Sequence, residues 1–180
     1  TGDRTVEVQV SAATGSSNVA HGTLGVVVGT DLRVNTTTSD FQSSPAVAMD
    51  ADGDFVVTWM SYAQDGSRWG VYAQRYGADG VARGGEFRVS TATDNEQTLP
   101  SVAMDDDGDF VVAWTSRNQD GSGEGIYAQR YNAAGQAQGS EFRVNTGTTN
   151  NQRIASVAMD ADGDFVVTWM SYAQDGSRWG

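Results

Sequence analysis

The stretch Val47-Ala48-Met49-Asp50-Ala51-Asp52-Gly53-Asp54-Phe55-Val56-Val57-Thr58-Trp59 decides how this chain reads. It returns at 102–114 with Asp106 in place of Ala51 and Ala113 in place of Thr58, and at 157–169 with no change. Asp50, Asp105 and Asp160 therefore lie 55 residues apart. A fixed period of that size marks a stacked or radially repeated architecture. Within the stretch an apolar run meets Asp-Gly and a second apolar run follows. That is the sequence signature of a β-hairpin, with Asp-Gly suited to a type I′ turn.

Working outward from 102–114, one whole period can be followed. Strand a is expected at 101–105 and a turn at 106–108. Strand b follows at 109–116, then a polar loop at 117–125. Strand c is expected at 126–131, a glycine-containing connection at 132–140, and strand d at 141–145. Strand b is apolar on both faces, with Phe110, Val112 and Trp114 on one and Val111 and Ala113 on the other. A strand of that kind lies in a sheet covered on both sides. Strand d alternates, with Phe142 and Val144 inward and Glu141 and Arg143 outward. Small residues in strand a, a doubly buried middle and an amphipathic far edge describe the blade of a β-propeller. A row of separate four-stranded modules is the alternative. The expected fold is all-β, in four-stranded antiparallel blade-like repeats of 55 residues.

The repeats divide the chain at 31–85, 86–140 and an incomplete 141–180. The last has strands a and b but no c or d. The first d strand, at 31–35, has no a and b of its own. Residues 1–30 stand apart, with expected strands at 5–10 and 23–28 and no match to the repeat; they are a candidate donor strand. Three blades are too few to close, since propellers have roughly four or more. Copies of the chain are therefore expected to join head to tail by strand addition, through residues 1–35 and the final repeat. A filament is favoured over a ring, and covalent continuation of a longer array is the alternative. The sequence opens on Thr1 and shows no signal peptide, which fits a processed product or an excerpt.

Composition narrows the functional classes. The chain of 180 residues carries 23 acidic and 11 basic residues, a formal charge of −12, and all the basic residues are Arg. So acidic a surface repels nucleic-acid phosphates and favours cations. No apolar run is long enough to span a bilayer. Cysteine is absent, which excludes disulfides and thiolate metal sites. The lone histidine, His21, sits in a glycine-rich stretch with no triad context, and no phosphate-binding glycine motif occurs. With no nucleophile–base pair, the reading is non-enzymatic, and no catalytic residue is assigned.

The candidate metal ligands are Asp50, Asp52 and Asp54, with Asp105, Asp107, Asp109 and Asp160, Asp162, Asp164. Closely spaced carboxylates supply the hard oxygens that Ca2+ prefers. Against this, glycine stands at the fourth position of the loop and Phe at the sixth, where an EF-hand loop has glycine. The alternative is a plain turn surrounded by solubilising Asp. The repeated Gln64-Asp65-Gly66-Ser67 loops read as structural turns with variable flanks. Trp69 and Trp179 lie in these loops, where an indole could stack on a sugar, so they are the candidate glycan-binding residues. In Tyr72-Ala73-Gln74-Arg75-Tyr76, Arg75 is expected to pair with a carboxylate.

The combination Val-Ala-Met-Asp-Xaa-Asp-Gly-Asp-Phe-Val-Val-Xaa-Trp, Gln-Asp-Gly-Ser, Tyr-Ala-Gln-Arg-Tyr and Glu-Phe-Arg-Val resembles tandem repeats of very large secreted bacterial proteins. That resemblance covers about 150 of the 180 residues and implies secretion and display at the cell surface or in a matrix. Asp-Xaa-Asp-Gly-Asp alone is similar to the FG-GAP repeats of integrin-type propellers, whose Asp-rich loops hold calcium. Here the downstream Asp of that loop is replaced by strand residues such as Val57. The functional expectation is an extracellular structural or adhesive repeat protein with copies of itself as partner; the alternative is a glycan-binding propeller for surface or matrix glycans.

Overall fold

The computed structural model describes residues 7–8, 32–173 and 176, and each of its elements is a strand. β1 (Glu7–Val8) pairs antiparallel with β2 (Leu32–Arg33). β3 (Gln42–Met49), β4 (Phe55–Tyr62), β5 (Trp69–Tyr76) and β6 (Phe87–Arg88) form a four-stranded antiparallel sheet in chain order. β7 (Gln97–Met104), β8 (Phe110–Arg117), β9 (Glu124–Tyr131) and β10 (Phe142–Arg143) repeat it. β11 (Gln152–Met159) and β12 (Phe165–Ser171) begin it a third time. The fold is all-β and blade-like, as the period predicts, and the described strands do not close on themselves.

The hairpin at the heart of the repeat differs from the type I′ turn. Asp50 N donates to Asp54 O at 2.9 Å, and Gly53 N donates to Asp50 O at 3.3 Å. This is a three-residue loop, 51–53, ending in a left-handed Gly53 at φ 88°. Such loops join a type I turn to a glycine bulge, which is why Gly stands third in the loop rather than second.

Strand a is longer than its sequence shows. It starts at Gln97 rather than 101, and it carries one extra residue between Thr98 and Ser101, where the register shifts against β8. The bulge puts Ser44, Leu99 and Ile154 in the left-handed region, at φ 53°, 54° and 55°. A branched side chain is strained there. Ile154 is exposed, so Ile154→Gly loses little packing. It is expected to raise stability by about 0.5–1 kcal/mol after the added unfolded-state entropy of glycine is subtracted. A urea melt checks this, and a lower midpoint would mean the bulge is not strained.

Blades stack face to face. Val56, Val71 and Ala73 of the first blade share a core with Val102, Phe110 and Trp114 of the second. Leu32 and Val34 lie in the same way on Phe55, Val57 and Trp59. β2 therefore occupies the place of a d strand in a blade preceding the first. Its partner β1 then takes the place of strand c: Glu7 opposes Arg33 as Tyr72 opposes Arg88. In that register Val6-Glu7-Val8-Gln9 runs in sequence against Val71-Tyr72-Ala73-Gln74. Residues 7–8 thus have a place in the repeat, where the sequence reading left 1–30 outside it. The expected strand at 23–28 lies outside the described residues, as do Trp179 and Asp175.

Strand d also differs from expectation. Glu141 is half-buried and Phe142 exposed. Phe87, its counterpart, packs against Tyr131 of the next blade. Phe142 has no such neighbour among the described residues.

Candidate functional site

The aspartates of each hairpin are placed differently. The first shapes the turn: Asp50 Oδ1 accepts from Asp52 N at 3.0 Å and Asp54 N at 2.9 Å. Asp105 and Asp160 do the same. The third fastens the connection between strands c and d. Asp54 Oδ1 accepts from Ala78 N at 2.9 Å and from Arg83 Nη2 at 3.1 Å; Asp109 Oδ1 accepts from Ala133 N at 2.8 Å. The second, Asp52, Asp107 or Asp162, is exposed.

Turn and loop bonding thus occupies one oxygen each of Asp50, Asp105, Asp160, Asp54 and Asp109. Among the described residues, no three His, Cys, Asp or Glu side chains converge as a group that could hold a metal ion. A ligand that binds only the folded state raises its stability. Bound Ca2+ would therefore show as a fall in melting temperature on chelation, reversed by added Ca2+; an unchanged melting curve would leave the aspartates as turn formers alone.

Glycine completes the contact between neighbouring hairpins. A Cβ on Gly108 would meet Asp50 Oδ2 of the preceding blade at 3.2 Å, and one on Gly163 would meet Asp105 Oδ2 at 3.1 Å. The Asp of one turn thus leans on the glycine of the next.

A second set of bonds, repeated with the period, also joins the blades. Glu86 Oε2 accepts from Thr36 N at 2.7 Å and Thr36 Oγ1 at 2.9 Å, while Gln64 Nε2 donates to Glu86 Oε1. Glu141 binds Thr91 and Gln119 in the same way. The Gln-Asp-Gly-Ser loops are structural, as read: Asp65 Oδ1 accepts from Ser67 N, and its other oxygen lies 3.4 Å from Arg88. Arg75 interacts electrostatically with Asp54, but its hydrogen bonds go to the carbonyls of Ala133 and Arg83, and so it crosses to the next blade.

Between the blades these contacts leave a recess. One, of about 240 Å³, is lined by Asp50, Asp54, Arg75 and Tyr76 from the first blade and by Met104, Asp107 and Gly108 from the second. Its copy one period on, of about 270 Å³, is lined by Asp105, Asp109, Arg130, Tyr131, Met159 and Gly163. The tyrosines are held firmly. Tyr76 stacks on Phe55 and donates to Val34 O; Tyr131 stacks on Phe110 and donates to Val89 O. Burial pushes both phenols above their ordinary value, so both remain donors. Carboxylates, a guanidinium and an aromatic wall in one recess can hydrogen-bond a polyhydroxylated molecule and pack against its apolar face.

Sequence reading missed these recesses, because their two walls come from different periods. The shared spacing of Arg75 and Arg130 was the available signal. Trp69 lies elsewhere, half-buried, at the end of β5. Its ring meets that of Tyr62 edge to face, with centroids 5.3 Å apart.

No protein-family model matches the chain, and no curated protein does. Among solved structures, an endo-arabinase from Bacteroides thetaiotaomicron is similar, with a TM-score of 0.50 and 17% identity. The likeness covers 81% of this chain and 56% of that one. An α-L-arabinofuranosidase from Lactobacillus brevis gives a TM-score of 0.47 at 11% identity, over 83% of this chain and 58% of that one. A fucose lectin from Kordia zhangzhouensis, in complex with methyl-fucoside, gives 0.40 at 14% identity, over 76% and 95%. The chain spans little more than half the length of the first two. The likeness to the endo-arabinase, at this identity, shows a shared all-β architecture.

Proposed function

We propose that the chain is a non-enzymatic, extracellular structural repeat protein whose blades associate head to tail with copies of itself. One observation carries the reading. β12 and residues 55–61 of β4 have the same seven residues in the same order. In β4 they lie between a strand on each side, with the second blade on one face and Leu32 and Val34 on the other, and Val56 is 0% exposed; in β12 the matching Val166 is 60% exposed. Among the described residues, a sequence suited to a doubly covered strand has a partner strand, β11, on one side only. Such an edge recruits a strand or aggregates. The formal charge of −12 opposes indiscriminate aggregation. The resemblance to repeats of secreted bacterial proteins supports the extracellular setting. Sedimentation velocity tests the association: the particle should grow with concentration. A single monomeric species at all concentrations would end the reading.

A second reading, glycan binding, is favoured by the two recurring recesses and by the Tyr62–Trp69 pair. A glycan array tests it. Saturable binding lost in Trp69→Ala would place the sugar on the loop, and binding lost in Arg75→Ala would place it between the blades. No binding by the unaltered chain would remove the reading.

A further inference from the structure

The apolar contacts between blades carry no information about their order. Val56 and Val102 share the core between the first and second blades. Val111 and Val157, the same residues one period on, share the next. The hairpins are interchangeable too, since residues 47–70 recur unchanged at 157–180. Stacking by these residues alone would fit any blade to any other, a hazard of near-identical repeats.

Two short segments do differ, and they meet across the interface. One follows the Gln-Asp-Gly-Ser loop: Arg68-Trp69 in the first blade, Gly123-Glu124 in the second. The other lies at the start of strand a in the next blade: Glu96 and Thr98 in the second, Asn151 and Arg153 in the third. Between the first and second blades Arg68 Nη1 donates to Glu96 Oε1 at 3.1 Å. Between the second and third the polarity is reversed, and Arg153 Nε donates to Glu124 Oε2. Glu124 N also donates to Asn151 Oδ1 at 3.2 Å. Ile154 N donates at 3.3 Å to the hydroxyl of Thr115, where the other repeats have Met60 and Met170.

Each flank also works against the wrong neighbour. A Cβ on Gly123 would meet Asn150 O of the third blade at 3.0 Å and Asn151 Oδ1 closer still. An arginine in the manner of Arg68 is therefore excluded from that interface. Were the edge of the second blade placed behind its own flank, Glu96 would stand where Asn151 stands, beside Glu124. The Glu124 side chain is 16% exposed, so two carboxylates there are poorly screened. Repulsion of this kind discriminates between partners where attraction alone does not.

We propose that these segments are a matching code for blade order: the two residues after each Gln-Asp-Gly-Ser loop select the strand-a edge that stacks on them. The flank Gly-Glu takes a blade with Asn and Arg at its edge. The flank Arg-Trp takes a blade with Glu and Thr. The code operates within one chain and does not require association between copies.

Exchanging the two edges in the full chain tests the code at constant composition. Glu96→Asn, Thr98→Arg and Leu99→Ile are combined with Asn151→Glu, Arg153→Thr and Ile154→Leu, which mismatches both interfaces. The thermal midpoint should fall by roughly 4 °C, the shift that loss of a modest interaction gives in a chain of this size. Exchanging the flanks as well, with Arg68→Gly, Trp69→Glu, Gly123→Arg and Glu124→Trp, should recover most of the fall. A midpoint that drops further would overturn the code, because each segment would then suit its own blade and not its neighbour. An edge exchange without effect would overturn it too. A smaller cycle decides the matter if the exchanged chains do not fold. Glu124→Arg and Arg153→Glu should each lower the midpoint, and together they should restore it; additive losses would overturn the proposal.

Discussion

Replacing Trp114 with Ala should lower the unfolding free energy by about 3–5 kcal/mol, the range for a large aromatic removed from a packed core. Trp114 is 0% exposed and shares its core with Phe110, Val112, Val89 and Tyr127. It lies in β8, which has strands on both edges and blades on both faces, so the cavity has little freedom to collapse. The counterpart Trp169 is only half-buried. Trp169→Ala should therefore cost less, about 1–2 kcal/mol, on the same reasoning that loss scales with what the site buries. Urea melts of the two variants under the same conditions check the difference. A loss below about 1 kcal/mol at Trp114 would mean that β8 is not the centre of a covered sheet.

Asp105→Ala should cost about 3 kcal/mol, from two backbone N–H groups left without their charged acceptor. Asp105 is 7% exposed, and its Oδ1 accepts from Asp107 N at 3.0 Å and Asp109 N at 2.9 Å. The carboxylate also leans on Gly163 of the next blade, so its loss loosens the contact between blades as well as the turn. Asp105→Asn keeps an oxygen in place and should cost only about 1 kcal/mol, the difference between a charged and a neutral acceptor. The pair of variants separates two tasks for the residue. A turn former tolerates Asn better than Ala. A residue needed for its charge, as a calcium ligand is, would be disabled equally by both.

Much of the blade was legible because its causes are local or periodic. The 55-residue repeat, the hairpin at Asp-Gly and the doubly apolar β8 all follow from residue order. The fully buried Trp114 and Phe110 were expected on those grounds. What was not legible depends on partners far along the chain. Glu141 was read as facing solvent because it alternates with Phe142, yet it bonds Thr91, 50 residues away. Leu99 and Ile154 occupy a left-handed bulge that their own preference opposes, so local propensity pointed to a shorter strand. A strand was expected at 5–10, but its place in the repeat escaped notice because Glu7 stands where the repeats have Tyr; only its backbone pairing with Arg33 assigns the place. The turn aspartates could be read as ligands or as turn formers, and the structure adds the turn bonds of the first and the loop bonds of the third. A recess built from two walls one period apart has no signature within either.

The segment that occurs twice shows where the boundary falls. By itself the sequence determined that residues 55–61 and 165–171 are b strands, because unbroken β-branched and aromatic residues after Asp-Gly-Asp favour an extended chain buried on both faces. It could not determine whether they are covered. Burial belongs to the neighbours a strand acquires, and those come from other periods of the chain. Only the tertiary structure decided that β4 is enclosed by β3, β5 and the second blade, whereas β12, among the described residues, pairs with β11 and packs one face on the second blade.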